Sequence, residues 1–227
     1  MILSIDTSTT VCSVALHQTD GTLVAFYELH VEQSHAEYLN QLIANVMGNA
    51  GVKNTDLKAV AISEGPGSYT GLRIGTAAAK GFCYTLEIPL IAVSTLKSMA
   101  KEIAPYYKEG ILLCPMIDAR RMEVYTALYD TALNETEKVH PKVMDETSFK
   151  EELDKQPIVF FGNGADKCKE VLAHENSTFL DGIVPSAKHV GTLAAEKFAK
   201  EEFEDVAYFE PFYLKEFRMT KPKKKSL

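Results

Sequence analysis

Four stretches of this 227-residue chain carry residue types from which phosphate-directed chemistry could be built. Asp6-Thr7-Ser8-Thr9 closes the first predicted strand. An acid followed by small hydroxyl residues can hold a metal and a phosphate where the backbone comes close. Ser8 stands where glycine would serve such a turn, and no lysine follows, so an Asx- or ST-type turn closing a hairpin reads as well. Gly65-Pro66-Gly67-Ser68-Tyr69-Thr70-Gly71-Leu72-Arg73-Ile74-Gly75 forms a rigid turn into a helix, with Ser68 or Thr70 as the cap. Free amides at such a helix start can take an anion. The spacing is not that of a Walker loop, because no Gly-Lys-Ser/Thr occurs. Asp118-Ala119-Arg120-Arg121 follows an apolar strand, where phosphate-directed acids often lie, although a charged hairpin turn also fits. Gly162-Asn163-Gly164 lacks the third glycine of a dinucleotide fingerprint, because Lys167 stands there, and reads better as a strand-to-helix turn beside a cleft.

These stretches give a candidate set for ATP or ADP: Asp6, Thr7, Ser8, Gly65, Gly67, Ser68, Asp118, Gly162 and Gly164. No metal site is expected. His30 and His35, the one close pair among six histidines, stand about 140° apart on a helix and cannot share an ion on one face. The four cysteines (Cys12, Cys83, Cys114, Cys168) are widely spaced, which suits reduced thiols better than disulfides or a zinc knuckle.

The elements that must position these residues follow from periodicity. Strands are predicted at 2–5, 11–16 and 22–29, then a helix opened by the capping box Ser34-His35-Ala36-Glu37. Leu39, Leu42, Ile43, Val46, Met47 and Ala50 make its apolar stripe, which ends at Gly51. A strand at 58–62, a small-residue helix at 70–86, a strand at 89–93 and a helix at 95–104 follow. In the second helix Gly71, Gly75, Ala78 and Ala79 leave one face nearly bare. Glycine within a helix costs roughly 1 kcal/mol against alanine, so something must approach, either this chain's own sheet or a partner helix. After Pro105 the pattern restarts: strands at 111–117, 122–129 and 135–144, a helix at 146–153, a strand at 158–161, a helix at 165–173, a weak strand at 179–180 and a helix at 187–200.

A three-strand meander followed by α-β-α thus occurs twice, which predicts a duplicated α/β fold of actin-like or sugar-kinase-like type. The expected units are 1–105 and 106–227, with the last helix and basic tail returning to the first. A single doubly wound sheet is the alternative.

Thirty-one acidic and 24 basic residues give a net charge of −7, which argues against a uniformly basic nucleic-acid binder. Six of the basic residues fall in 211–227, including Lys221-Pro222-Lys223-Lys224-Lys225, a run that is either merely solvated or adds attraction to a phosphate backbone. The opening residues lack a basic signal region, and no window approaches about 18 uninterrupted apolar residues, so a cytoplasmic location without membrane contact is expected.

The segments Ile2–Thr9, Gly65–Gly75, Pro89–Leu96 and Asp118–Tyr125, with the late Tyr213-Leu214-Lys215, resemble the TsaB (YeaZ) family in order and spacing over nearly the whole chain. The resemblance implies an actin-like fold and a part in making N6-threonylcarbamoyladenosine at position 37 of tRNAs that read ANN codons. It implies a non-catalytic scaffold that forms a heterodimer with the catalytic paralogue TsaD, joined by the ATPase TsaE, with tRNA contacted in the complex. In TsaD the helix after the strand matching Pro89–Val93 carries a metal-holding His-x-x-x-His pair, which falls here on Thr95 and Met99. A hydroxyl and a thioether do not replace two imidazoles on such an ion, which also speaks against a metallopeptidase activity. Family members associate through the first unit's helices, so His35, Tyr38, Leu39, Leu42, Gly71, Gly75, Ala78 and Ala79 are the expected interface, homodimeric in isolation. No cofactor is required on this reading, and ATP or ADP at the cleft or partner interface stays open. The alternatives are a small ATP-dependent phosphotransferase, with Asp6 and Gly67 on phosphate and Asp118 as base, or a nucleotide-binding module.

Overall fold

The computed structural model describes residues 1–30 and 35–214. Ser34 of the expected capping box, Lys215 and the basic tail lie outside the described residues.

The first half runs β1 (Ile2–Asp6), β2 (Val11–His17), β3 (Leu23–His30), α1 (His35–Asn49), β4 (Ala59–Gly65), α2 (Tyr69–Leu86) and β5 (Leu90–Ser94). Then come α3 (Thr95–Ile103), β6 (Leu112–Asp118), β7 (Glu123–Tyr129), β8 (Glu135–Val143), α4 (Lys150–Leu153), β9 (Ile158–Phe161), β10 (Ser177–Leu180) and α5 (Ala187–Ala199). The strands form two five-stranded sheets, ordered β3-β2-β1-β4-β5 and β10-β9-β6-β7-β8. Read from opposite edges the two orders are the same. In each sheet the meander pairs antiparallel and the later strands pair parallel, joined by crossovers. Asp6 and Asp118 therefore end topologically equivalent strands.

Alternation along β1 shows why these residues make a two-faced strand. Leu3 and Ile5 join Leu39, Ile43, Val46 and Ala79 beneath α1 and α2. Ile2 joins Ala59, Ala61, Ile91 and Val93 on the opposite face, covered by Val190, Leu193 and Ala194 of α5. The last helix thus closes the first sheet. Conversely α3, which the sequence pattern groups with the first unit, packs Leu96, Met99 and Ile103 onto the second sheet at Leu113, Val159 and Phe161. The halves exchange helices across their junction.

Two predicted helices shrink. The 165–173 segment holds only a 3-10 turn at Asp166–Cys168. There the Cys168 amide reaches Ala165 at 2.9 Å, and the Leu172 carbonyl is taken by the Ser177 hydroxyl at 2.7 Å. The 146–153 helix keeps only Lys150–Leu153, because Phe149 adopts φ +58°, outside the helical region. After α5 the chain returns over the first half. Phe209 enters its core, the Lys80 ammonium donates to the Ala207 and Phe209 carbonyls (both 3.1 Å), and the Phe212 amide donates to the Glu64 carbonyl (2.7 Å).

Candidate functional site

The turn after β1 and the loop entering α2 press together and use up each other's polar groups. The Asp6 carboxylate is wholly buried. One of its oxygens accepts the Ser8 amide (2.9 Å) and hydroxyl (2.8 Å), and the other accepts the Ser63 hydroxyl. Burial pushes its pKa up, against the opposing pull of those donors and of His35. The Thr7 hydroxyl donates to the Gly71 carbonyl at 2.8 Å. Ser68 caps α2, its hydroxyl accepting the Gly71 amide at 3.3 Å, while its own amide donates to the Ser8 carbonyl at 2.6 Å. A Cβ on Gly67 would run into that carbonyl, one on Gly71 into the Thr7 carbonyl, and one on Gly75 into the Thr7 hydroxyl. The glycine string serves this loop-on-loop packing. Two of the α2 amides that could face an anion, those of Ser68 and Gly71, are already bonded within the chain.

His35 begins α1 beside the same turn. Its Nε2 lies 2.6 Å from the Thr9 carbonyl, which can only accept, so Nε2 carries the proton. Nδ1 is buried and meets no hydrogen-bond partner among the described residues.

The equivalent acid in the second half is exposed. Asp118 pairs with the Lys167 ammonium, which also donates to the Arg121 (2.6 Å) and Glu123 (2.7 Å) carbonyls, and it accepts the Arg120 amide at 3.2 Å. Lys167 therefore pins the β6–β7 turn, in which Arg120 and Arg121 both take positive φ (72° and 49°). The sequence marked Lys167 only as an intruder in a glycine pattern. Gly164 sits against the Ile117–Asp118 backbone, and Gly162 against the Met116 carbonyl and the Met99 methyl. Both glycines serve close packing.

A cavity of about 510 Å³ opens where the halves meet, lined by the ends of β4 and β5, the start of α3, β7, β8, the end of α5 and Phe212. None of the nine candidate nucleotide residues lines it. Its lining includes Glu64, Lys97, Lys197 and Lys200, which no sequence motif marks, because α5 and the C-terminal segment must fold back to bring them together.

The expected interface residues divide. Leu39, Leu42, Gly71, Gly75, Ala79 and His35 are buried within this chain, Ala78 is half-buried, and Tyr38 is exposed. The small-residue face built on Gly71 and Gly75 thus meets the chain's own β1 turn. The outward side of the same helices carries Gln41, Ala44 and Gly48 on α1 and Arg73, Ala77, Gly81 and Tyr84 on α2. A Cβ on Gly48 or Gly81 would meet nothing within 4 Å among the described residues. Thr95 and Met99 are buried; the Thr95 hydroxyl meets no hydrogen-bond partner among the described residues, and the Met99 methyl packs toward Gly162. Among the described residues no three His, Cys, Asp or Glu side chains could converge on a metal, and no helix is long and apolar enough to cross a membrane.

The two matching sheets with exchanged helices define an actin-like α/β protein. A solved Pseudomonas aeruginosa protein described as similar to peptidase YeaZ superposes with a TM-score of 0.83 at 25% identity, over 94% of this chain and 99% of that one. The Clostridium difficile activator of 2-hydroxyisocaproyl-CoA dehydratase, solved with ADPNP, shares the fold alone (TM-score 0.50, 8% identity, 90% and 98% covered). The family model described as TsaD, tRNA N6-adenosine threonylcarbamoyltransferase, matches residues 29–223. The Escherichia coli K12 tRNA threonylcarbamoyladenosine biosynthesis protein TsaB is 34% identical over 94% of each chain. Its Bacillus subtilis 168 namesake is 33% identical over 75% of this chain and 74% of that one. The chain belongs to the TsaB (YeaZ) family, within the TsaD-type domain.

Proposed function

We propose that this chain takes part in N6-threonylcarbamoyladenosine synthesis at position 37 of ANN-reading tRNAs as a cytoplasmic, non-catalytic subunit. It binds and supports the TsaD-type transferase, in an assembly that TsaE completes. The observation that carries this reading is the first turn of α3. Where the transferase's resemblance expects two imidazoles one helical turn apart, this chain buries a hydroxyl and a thioether, and the thioether is part of the packing against Gly162. Those groups supply no ligand pair for a borderline or hard divalent ion that would polarise a carbamoyl carbonyl. The phosphotransferase alternative needs Asp6 and Gly67 on a phosphate, and both are engaged with Ser8.

The outward stripe of α1 and α2 supports the partner role. Gly48 and Gly81 each forgo about 1 kcal/mol of helix propensity with no neighbour among the described residues to explain it. A helix from another subunit laid on that stripe could approach closely. A second copy meets the same stripe when the partner is absent, as an isologous homodimer. The test is co-purification with TsaD followed by a tRNA modification assay that omits each protein in turn. Modified adenosine should vanish without this chain and should not form with this chain alone. Solo activity would overturn the assignment.

A further inference from the structure

We propose that the cavity between the two halves is a binding site for a small zwitterion of the α-amino-acid class. The lining carries four lysines (Lys97, Lys138, Lys197, Lys200) and four glutamates (Glu64, Glu135, Glu196, Glu202), so it has no net charge. A polyphosphate would meet as many carboxylates as ammoniums. A ligand that bears one charge of each sign would not.

These side chains are not simply paired with one another. Glu196 is bridged to Lys101 (2.8 Å), and the Lys197 ammonium donates to the Ala92 carbonyl (2.7 Å). The side chains of Glu64, Lys97, Lys138 and Lys200 form no ion pair or hydrogen bond among the described residues. Glu64 is the informative one. It stands half-buried at the end of β4, where burial pushes its pKa up against the pull of the Lys197 charge, and its carboxylate accepts no hydrogen bond among the described residues. A carboxylate removed from water without a donor is costly, and an incoming ammonium would relieve that cost. The unpaired lysines come from other walls, Lys97 from α3, Lys138 from β8 and Lys200 from beyond α5, and suit the ligand's carboxylate. Val93 and Leu193 add an apolar surface for an aliphatic side chain. The volume of about 510 Å³ falls within the ordinary range of roughly 300–1,000 Å³ for small-molecule sites.

The site rests on the cavity and not on the role in tRNA modification, although the amino acid within threonylcarbamoyladenosine is a member of the class. The test is calorimetry or ligand-observed NMR on the full chain with L-threonine and L-valine as probes. Propionate, propylamine, inorganic phosphate and ATP serve as controls. Saturable binding of a probe is expected, with each singly charged control at least about tenfold weaker, because one charge-assisted contact is lost. Glu64→Gln should weaken the probe about tenfold, and so should Lys200→Met, which changes an exposed position. No saturable binding of either amino acid would overturn the proposal. So would ATP or phosphate binding more tightly than both, or probe binding unchanged in both variants when each melts like the parent.

Discussion

The Ser68 amide donates to the Ser8 carbonyl at 2.6 Å, which ties the helix-capping loop of α2 to the turn that ends β1. A phosphate seated at the α2 N-terminus would have to part these two loops. Gly67 lies directly over the same carbonyl, so the contact has no slack. Gly67→Ala should therefore destabilise the chain by about 1–3 kcal/mol, as overpacking does, and lower Tm by roughly 3–10 °C. Calorimetric melting measures it. An unchanged Tm would mean that the loops are free to separate.

The helix pair offers a contrast between two glycines six residues apart. Gly75 faces the Thr7 hydroxyl and Ile62, whereas Gly81 faces none of the described residues within 4 Å. Gly75→Arg should fail to fold, so it cannot report on association. Gly81→Arg should melt within about 1 kcal/mol of the parent, as exposed helix substitutions do, yet lose binding to TsaD and to a second copy. Size-exclusion chromatography with light scattering, alone and with TsaD, separates the outcomes. Undiminished association by Gly81→Arg would move the interface elsewhere.

What the sequence made legible, and what it did not, divides along the same line. Leu39, Leu42, Ile43, Val46 and Met47 announce α1 because a helix against a sheet needs one apolar stripe, and the structure buries all five. Alternating meanders and single apolar runs likewise gave both sheets. Glycines at 71 and 75 announced that something comes close, but a missing side chain does not name its neighbour, and the neighbour is Thr7. The clamp of Lys167 on Asp118 joins residues 49 apart, and the cavity needs α5 and the C-terminal segment to return over the first half. Neither leaves a local period. The 165–173 run failed for a different reason: Ala165, Cys168 and Leu172 have helical spacing and are buried, yet a 3-10 turn buries them too.

Asp6 offers a way to separate structure from catalysis. Its oxygens accept three donors from Ser8 and Ser63, and burial already favours its neutral form. Asp6→Asn keeps an acceptor for Ser8 and can donate to the Ser63 hydroxyl. Stability at pH 7.5 should stay within about 1 kcal/mol of the parent, and the variant should still sustain adenosine modification with TsaD. Loss of modification in a folded Asp6→Asn chain would give this carboxylate a chemical role.

The junction of α5 with the first sheet should make stability depend on pH. His17 ends β2 wholly buried, with Gly191 of α5 against its ring, and burial pushes its pKa down to about 4, partly offset by the Lys188 backbone. His189 on the same helix is also pushed down to about 4, chiefly by burial and further by Lys188, His17 and Lys101. The unfolded chain, with histidine near pKa 6.5, binds protons that the folded chain refuses, so stability is complete above pH 6.5 and falls as pH drops toward 4. Raised carboxyl pKa values at Asp6, Glu64 and Glu102 act in the opposite direction, so the parent's net slope alone cannot isolate the histidine. The difference between parent and His17→Asn can. Between pH 7.5 and pH 5 the parent should lose about 2 kcal/mol more than the variant, from roughly 1.5 units of withheld protonation at 1.36 kcal/mol per unit. Urea unfolding at the two pH values reads this directly. Equal losses in both chains would mean that His17 is protonated without displacing α5.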